Sequence, residues 1–415
     1  MNFKDFFKNN FLYNNSYKTH SEAVIIVCYF NPQENPYRLK AFNLFYESIK
    51  HLNHRIVECV IGDAKPQLEP NFNIIQVKSK TLLWHKESLL NEIIRTLPSQ
   101  YKYVFWVDAD VIFTNKNWLV DGVKKLQKAN IIQPFEYCVH LEKDQLEPYF
   151  DITHEYEYAS NPKAKHPMMW RSFSANHATE GGSISGDSNY DRHGHVGFAW
   201  GAKRSILDNV KLYDKALIGG ADHIIAHAAV GQINHSCITK SFTDDIDNVN
   251  NWSKKFYLEV QGKIDYVKGD LYHIWHGDIK KRDYLNRIKE FTPTSKNITT
   301  KDKNGLYVAD SESEKYVKKY FDKREVKSII DHDQINLKRE ELRNTYPDRD
   351  DSFIESLLFG YLTNSTIEGT LLGNNPLGAM LGDMLNTDEN KVEYGGGESG
   401  GAGSGGNWDN NETFS

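Results

Sequence analysis

The chain has 415 residues, 39% of them hydrophobic and 13% aromatic, enough for one large domain with appendages or for two modest domains. A formal net charge of −6 and a pI near 6.3 exclude a global basic field, and with it a generic nucleic-acid coat, while allowing a local basic patch. Many aromatics lie beside polar residues, a pattern suited to grooves that stack on carbohydrates or bases. Cys28, Cys59, Cys138 and Cys237 lack paired metal-type spacing, and the first two sit in apolar runs, which predicts reduced core thiols. The N-terminal MNFKDFFKNNFLYNN has no apolar h-region, and no run approaches membrane-spanning length, so a cytoplasmic protein is expected.

Residues 23–30 (AVIIVCYF) form a continuous apolar run bounded by Asn31-Pro32, which predicts a central parallel strand ending in a loop. Residues 37–52 carry Leu39, Phe42, Leu44, Phe45, Ile49 and Leu52 at helical spacing. A second strand is expected over 55–61, stopping at Gly62-Asp63, and a third over 73–77. A helix over 88–97 is closed by Pro98. Alternation of strand and helix implies a doubly wound α/β sheet, whose ligands bind beyond the carboxyl ends of the strands. Asn31, Asp63 and Asp108 all lie at such ends.

Residues 101–114 read YKYVFWVDADVIFT, and the rest of the chain is organised around them. Tyr103 to Val107 suit a buried strand. An unpaired carboxylate is costly in an apolar interior, so Asp108 and Asp110 are expected at the sheet's edge, converging on a cation. Hard oxygen ligands of this kind suit Mn²⁺ or Mg²⁺. Beyond them, residues 117–128 are amphipathic, a strand begins at Ile131-Ile132, and periodicity fades from Val139 to His195. That stretch holds His140, His154, His166 and the run MMWRSF, and is expected to form an acceptor-side lid and wall. Residues 194–203 (GHVGFAWGAK) return to a strand with closely spaced glycines, which permit near approach of a ligand. In LIGGADH (217–223) Asp222 falls at a helix start, where a cap or a functional acid is expected. In GDLYHIWHGDIKKRDY (269–284), His273 or His276 could complete a metal's shell, and Lys280, Lys281 and Arg282 could hold a diphosphate.

WVDADVIF resembles the Asp-X-Asp segment of GT-A-fold glycosyltransferases, which hold a nucleotide-sugar diphosphate through a divalent metal, and the resemblance covers roughly residues 20–290. It implies a GT-A-like mixed sheet flanked by helices, with a nucleotide-binding half over about 20–135 and an acceptor half over 136–300. By position it implies nucleoside contacts from Tyr29, Phe30, Asn31, Arg38 and Asp63, and donor contacts from Lys86 and Asn91 of WHKESLLNEII. The segment around Gly197 and Trp200 would line the donor sugar, with Gly220 nearby. Asp110 would bind the metal directly, Asp108 would share the ion or hold the ribose, and His276, then His273, would complete the shell. Asp222 matches the carboxylate that deprotonates the acceptor in inverting enzymes.

The implied cofactors are Mn²⁺ or Mg²⁺ and a nucleoside diphosphate sugar, with a UDP-sugar favoured. The expected acceptor is a glycan or small molecule, in a bacterial or phage-infected cell. A hydroxylated base in DNA is a further possibility, flipped into the pocket and met by a basic strip for which Lys163-Lys165 and Lys280 to Arg282 are the hints. Two competitors stand beside this reading. A nucleotidyltransferase would require a Gly-rich basic loop after the first strand, which YFNPQENPYR lacks. A sugar-binding module would not need Asp108, Asp110 and His276 together. Beyond residue 300 a helical extension is expected to 364, charged over 311–343 and amphipathic over 351–362. A Gly-rich, low-complexity flexible tail follows over 365–415.

Overall fold

The computed structural model describes residues 16–141, 169–179, 193–277, 284–324, 332–347, 349–351, 353–354 and 357–358. These fall into two compact units, one of the described residues up to 324 and one of those from 332 onward.

The first unit is a mixed α/β body. Its strands are β1 (Ala23–Tyr29), β2 (His54–Ile61), β3 (Ile74–Ser79), β4 (Tyr103–Val107), β5 (Val111–Phe113), β6 (Ile131–Gln133), β7 (Tyr137–His140), β8 (Met169–Arg171), β9 (Ala199–Lys203), β10 (Ile264–Tyr266) and β11 (Asp270–His273). Its longer helices are α1 (Pro36–Ile49), α2 (Lys86–Thr96), α3 (Trp118–Leu126), α4 (Ala221–Ala229), α5 (Ile246–Val260), α6 (Tyr284–Ser295) and α7 (Ser311–Arg324). Seven strands form the main sheet in the order β10-β6-β9-β4-β1-β2-β3. β1 pairs in parallel with β2 and β4, whereas β9 runs antiparallel between β4 and β6. Residues 23–27 are fully buried, which is why the β1 segment is apolar without alternation. α1 starts where expected, with Pro36 in its first turn and the Asn35 side chain accepting from the Tyr37 amide at 2.9 Å.

A second sheet, β5-β11-β7-β8, supplies the other wall of the candidate site. Its strands have three or four residues each, too short to carry a readable period, and 139–195 holds β8 and the end of β7. The strand expected over 194–203 is confined to Ala199–Lys203. The helical pattern expected as one stretch over 311–343 is divided: α7 belongs to the first unit, and α8 (His332–Thr345) to the second. α7 packs into the first body through Phe321, 5.6 Å from the Phe30 ring. The second unit has its own small core of Leu342, Ile354, Leu357 and Leu358. The Gly-rich segment lies outside the described residues. Among the described residues no helix is long and apolar enough to cross a membrane.

β9 lies so close against the core that Gly201 admits no side chain: a Cβ built there meets Phe105 ring carbons at 2.5 Å. Phe105 is fully buried and has nowhere to swing. Gly201→Ala should therefore cost about 1–3 kcal/mol through overpacking, read as a lowered midpoint in denaturant unfolding.

Candidate functional site

Two strand pairings build the site. β5 and β11 are antiparallel with Val111 opposite His273, and the Ile274 amide donates to the Asp110 carbonyl at 2.8 Å. That register sets Asp110, the residue just before β5, against the histidines that end β11. His276 Nε2 lies 2.9 Å from Asp110 Oδ2 and His273 Nε2 lies 3.8 Å from it. One ligand atom from each of the three residues falls within 4.8 Å of the others, and all three residues are buried. Burial opposes ionisation of Asp110, but His273, the hydrogen bond from His276 and the Arg38 guanidinium outweigh it and hold the carboxyl well below its usual range. Arg38 Nη2 is 3.9 Å from the same oxygen.

The second pairing is β4 with β9. The Asp108 amide donates to the Phe198 carbonyl at 2.7 Å, bringing Gly197 and Phe198 beside the first aspartate. Phe198 has φ of 78°, a left-handed conformation that costs a bulky residue on the order of 1–3 kcal/mol. Its ring stacks on His195 at 4.2 Å and on His273 at 5.0 Å, which holds it there.

Asp108 itself is engaged by Lys86, the first residue of α2, at 2.6 Å. The same ammonium is 3.7 Å from Asp222. Burial works against the Lys86 charge, yet Asp108 and Asp222 outweigh it and keep the ammonium well above its ordinary pKa. Asp222 is the second residue of α4; Gly220 occupies the cap position with φ of 101°, and no side-chain cap bond is made there. The capping role expected for Asp222 is thus not taken up, and its carboxylate stands at the positive end of the helix, facing the Gly197 side of the cavity.

One cavity gathers Phe30, Arg38, Lys86, Asp108, Asp110, Gly197, Gly220, Asp222, His273 and His276. Other residues singled out in the sequence lie elsewhere. Asp108 is not in the three-residue ligand group, because Lys86 holds its carboxylate. Tyr29 and Asn31 do not line the cavity: both bond to Gln67 Oε1 at 2.8 Å and so pin the 62–70 loop. Asp63 is exposed, and the buried acid of β2 is Glu58, which accepts from the Gln67 and Leu68 amides. Asn91 ties α2 to Leu212 through two bonds of 2.9 Å rather than facing a donor. Trp200 is fully buried in the core, its indole donating to the Val196 carbonyl at 2.8 Å, because alternation along β9 turns it away from the cavity. Lys280, Lys281, Arg282 and Lys163-Lys165 lie outside the described residues.

The cavity also contains residues that sequence reasoning passed over: Cys28, Trp84, Glu87, His195, His223 and Arg287. His195 and His223 sit within segments noted only for their glycines and for Asp222. Glu87 adjoins Lys86 but reads as an ordinary first-turn acid of a helix. Burial pushes the Cys28 thiol up to about 12, so it is no nucleophile at neutral pH.

The donor set fits a cation. A carboxylate and two imidazoles mix oxygen and nitrogen ligands, which suits Mn²⁺ better than Mg²⁺, an ion that prefers oxygen throughout.

No protein-family model matches the chain. No curated protein matches it either. Among solved structures, it is similar to a mannosyltransferase from Pyrobaculum calidifontis in complex with GDP-Man and Mn²⁺, at 13% identity and a TM-score of 0.34, over 92% of this chain and 84% of that one. It is also similar to the glucosyl-3-phosphoglycerate synthase of Mycobacterium tuberculosis, at 10% identity and a TM-score of 0.30, over 70% of this chain and 81% of that one. The catalytic domain of Drosophila beta1,4galactosyltransferase 7 gives 10% identity and a TM-score of 0.30, over 71% of this chain and 98% of that one.

Proposed function

We propose that this chain is a metal-dependent glycosyltransferase, moving a sugar from a nucleoside diphosphate donor, with UDP favoured, to an acceptor hydroxyl with inversion. The observation that carries the reading is the joint presence, in one cavity, of the Asp110-His273-His276 ligand group and of Asp108, Lys86 and Asp222. Those residues are spread over 191 positions of the chain (86 to 276), and two strand pairings together with the starts of α2 and α4 bring them to one place.

Asp110, His273 and His276 would hold a cation, which would supply Lewis-acid stabilisation of the leaving diphosphate. The protein's own groups do the rest. Arg38 adds fixed positive charge on the Asp110 side of the cavity. Lys86 bridges Asp108 and Asp222, so the donor side and the acceptor side keep a fixed relation. Gly197 and Gly220 leave the backbone open to close approach. Asp222 takes the acceptor's proton, and Trp84 with Phe30, rings 5.7 Å apart, gives the cavity an apolar wall. The acceptor that best suits such a wall is a carbohydrate or small molecule.

Four experiments test this. Mn²⁺ titrated calorimetrically into the protein should bind, and His276→Ala should weaken binding by more than about ten-fold, since even outer-shell partners of metal ligands are worth that much. Asp110→Ala should abolish manganese-dependent donor binding; donor binding that survives in chelator counts against the cation's role. Asp222→Asn should leave donor affinity near normal while single-turnover transfer falls about 10²–10⁴-fold. Nucleoside diphosphate release from a panel of donors supports sugar transfer, pyrophosphate release identifies nucleotidyl transfer instead, and release of neither points to binding alone. The acceptor panel includes glycans and hydroxymethylated DNA.

A further inference from the structure

Among the described residues, the cavity holds one carboxyl for which the reaction above finds no use. Glu87 is the second residue of α2, between the Lys86 that bridges two aspartates and the buried Ser88. It is 4% exposed and lines the same cavity as Asp108 and Asp222. Among the described residues its carboxyl forms no hydrogen bond or ion pair with another side chain. Its neighbour Lys86 offers no help, because that ammonium is directed at Asp108 and Asp222. A buried carboxyl whose partner is its own backbone amide alone is still costly, and an aliphatic side chain would fill the wall without that cost. A partner brought in by the ligand removes the cost.

We propose that Glu87 hydrogen-bonds hydroxyl groups of the transferred sugar and thereby determines which sugar the site accepts. The inference rests on the glycosyl-transfer reading and deepens it.

The chemistry of the surroundings narrows the partner. The charges acting on the Glu87 carboxyl are those of Lys86, Asp222 and Asp108, the groups that bracket the reacting centre in that reading. Two of the three are acids, so a second anion such as the diphosphate is repelled from this corner, and it belongs instead with Arg38 and the ligand group. Burial, against the pull of Lys86, pushes the Glu87 carboxyl up to about 8, so near neutral pH it carries its proton. In that form it has one O–H donor and one acceptor oxygen, the complement of a hydroxyl group, which also donates and accepts. A protonated acid is neither a base nor a nucleophile, which separates Glu87 from Asp222. Discrimination by such a contact is steep. A site built to pair a hydroxyl rejects an analogue that lacks or misplaces it, because its own polar group is then stranded.

The test measures binding rather than turnover. With Mn²⁺ present, UDP, UDP-glucose, UDP-galactose and UDP-N-acetylglucosamine are titrated into the wild type, Glu87→Gln and Glu87→Leu. The wild type is expected to bind at least one of the UDP-sugars more tightly than UDP. Glu87→Leu should weaken that sugar nucleotide on the order of ten-fold or more while leaving UDP unchanged. Glu87→Gln, which keeps a donor and an acceptor, should retain most of the preference, and the ranking among the three sugars should flatten only in the leucine variant. Thermal unfolding confirms that Glu87→Leu is folded, and its Tm should rise, since it removes an unpaired buried acid; Glu87→Ala stands in if the leucine does not fit. An unchanged ratio of sugar nucleotide to UDP in the leucine or alanine variant overturns the proposal, as does an equal loss for UDP itself. If the wild type binds neither UDP nor UDP-sugars with Mn²⁺, the glycosyl-transfer reading fails for these donors and this inference falls with it.

Discussion

The antiparallel register of β5 on β11 is the constraint from which the site follows. Val111 faces His273, so Asp110 must lie against the residues that leave β11, and its carbonyl is tied to the Ile274 amide. A slip of one residue would turn His273 to the opposite face of the strand and separate the carboxylate from the imidazole. The neighbouring strand reinforces the alignment, since β7 pairs in parallel with β11 and places His140 beside His273, rings 4.7 Å apart. The ligand group is therefore held by backbone bonds rather than by the side chains that would carry the cation.

Around that group the charges are arranged in alternation. Arg38 approaches Asp110, Lys86 approaches Asp108 and Asp222, and the two imidazoles lie on the Asp110 side. Fixed, alternating charges in a partly closed cavity need little reorganisation when charge develops beside them, which is the condition for strong electrostatic stabilisation in the proposed transfer. The strained backbone of Phe198 fits the same picture. The residue is kept left-handed by stacking on His195 and His273, and its carbonyl receives the Asp108 amide. The cost of that conformation is carried where it fixes the position of an aspartate.

The sequence made the main sheet readable because its inner strands are buried on both faces. AVIIVCY and YVFWV are uninterrupted apolar runs, and their ends coincide with changes in chemistry at Asn31 and Asp108. The aspartates, the histidines of HIWH, Lys86 and Asp222 could be picked out because each is a polar residue at an abrupt end of such a run or beside paired glycines. The second sheet could not, since strands such as MWR and VIF offer no period, and their pairing is fixed by partners distant in sequence, β7 for MWR and β11 for VIF. Trp200, Asn91 and Asp63 were misjudged for a related reason. Proximity along the chain to a site residue says nothing about which face of a strand or helix a side chain takes. Glu87 and Arg287 escaped notice because their chemistry is unremarkable until burial makes it costly.

The stitching of Asp110 to Ile274 also bears on the order in which the molecule acquires its parts. Those two residues are 164 positions apart, and strands β1 to β4 are complete long before the second of them leaves the ribosome. Loop closure over such a span is slow and comes late in folding. A nascent or truncated chain ending before β11 can own the parallel core of the main sheet and still have no seat for a cation.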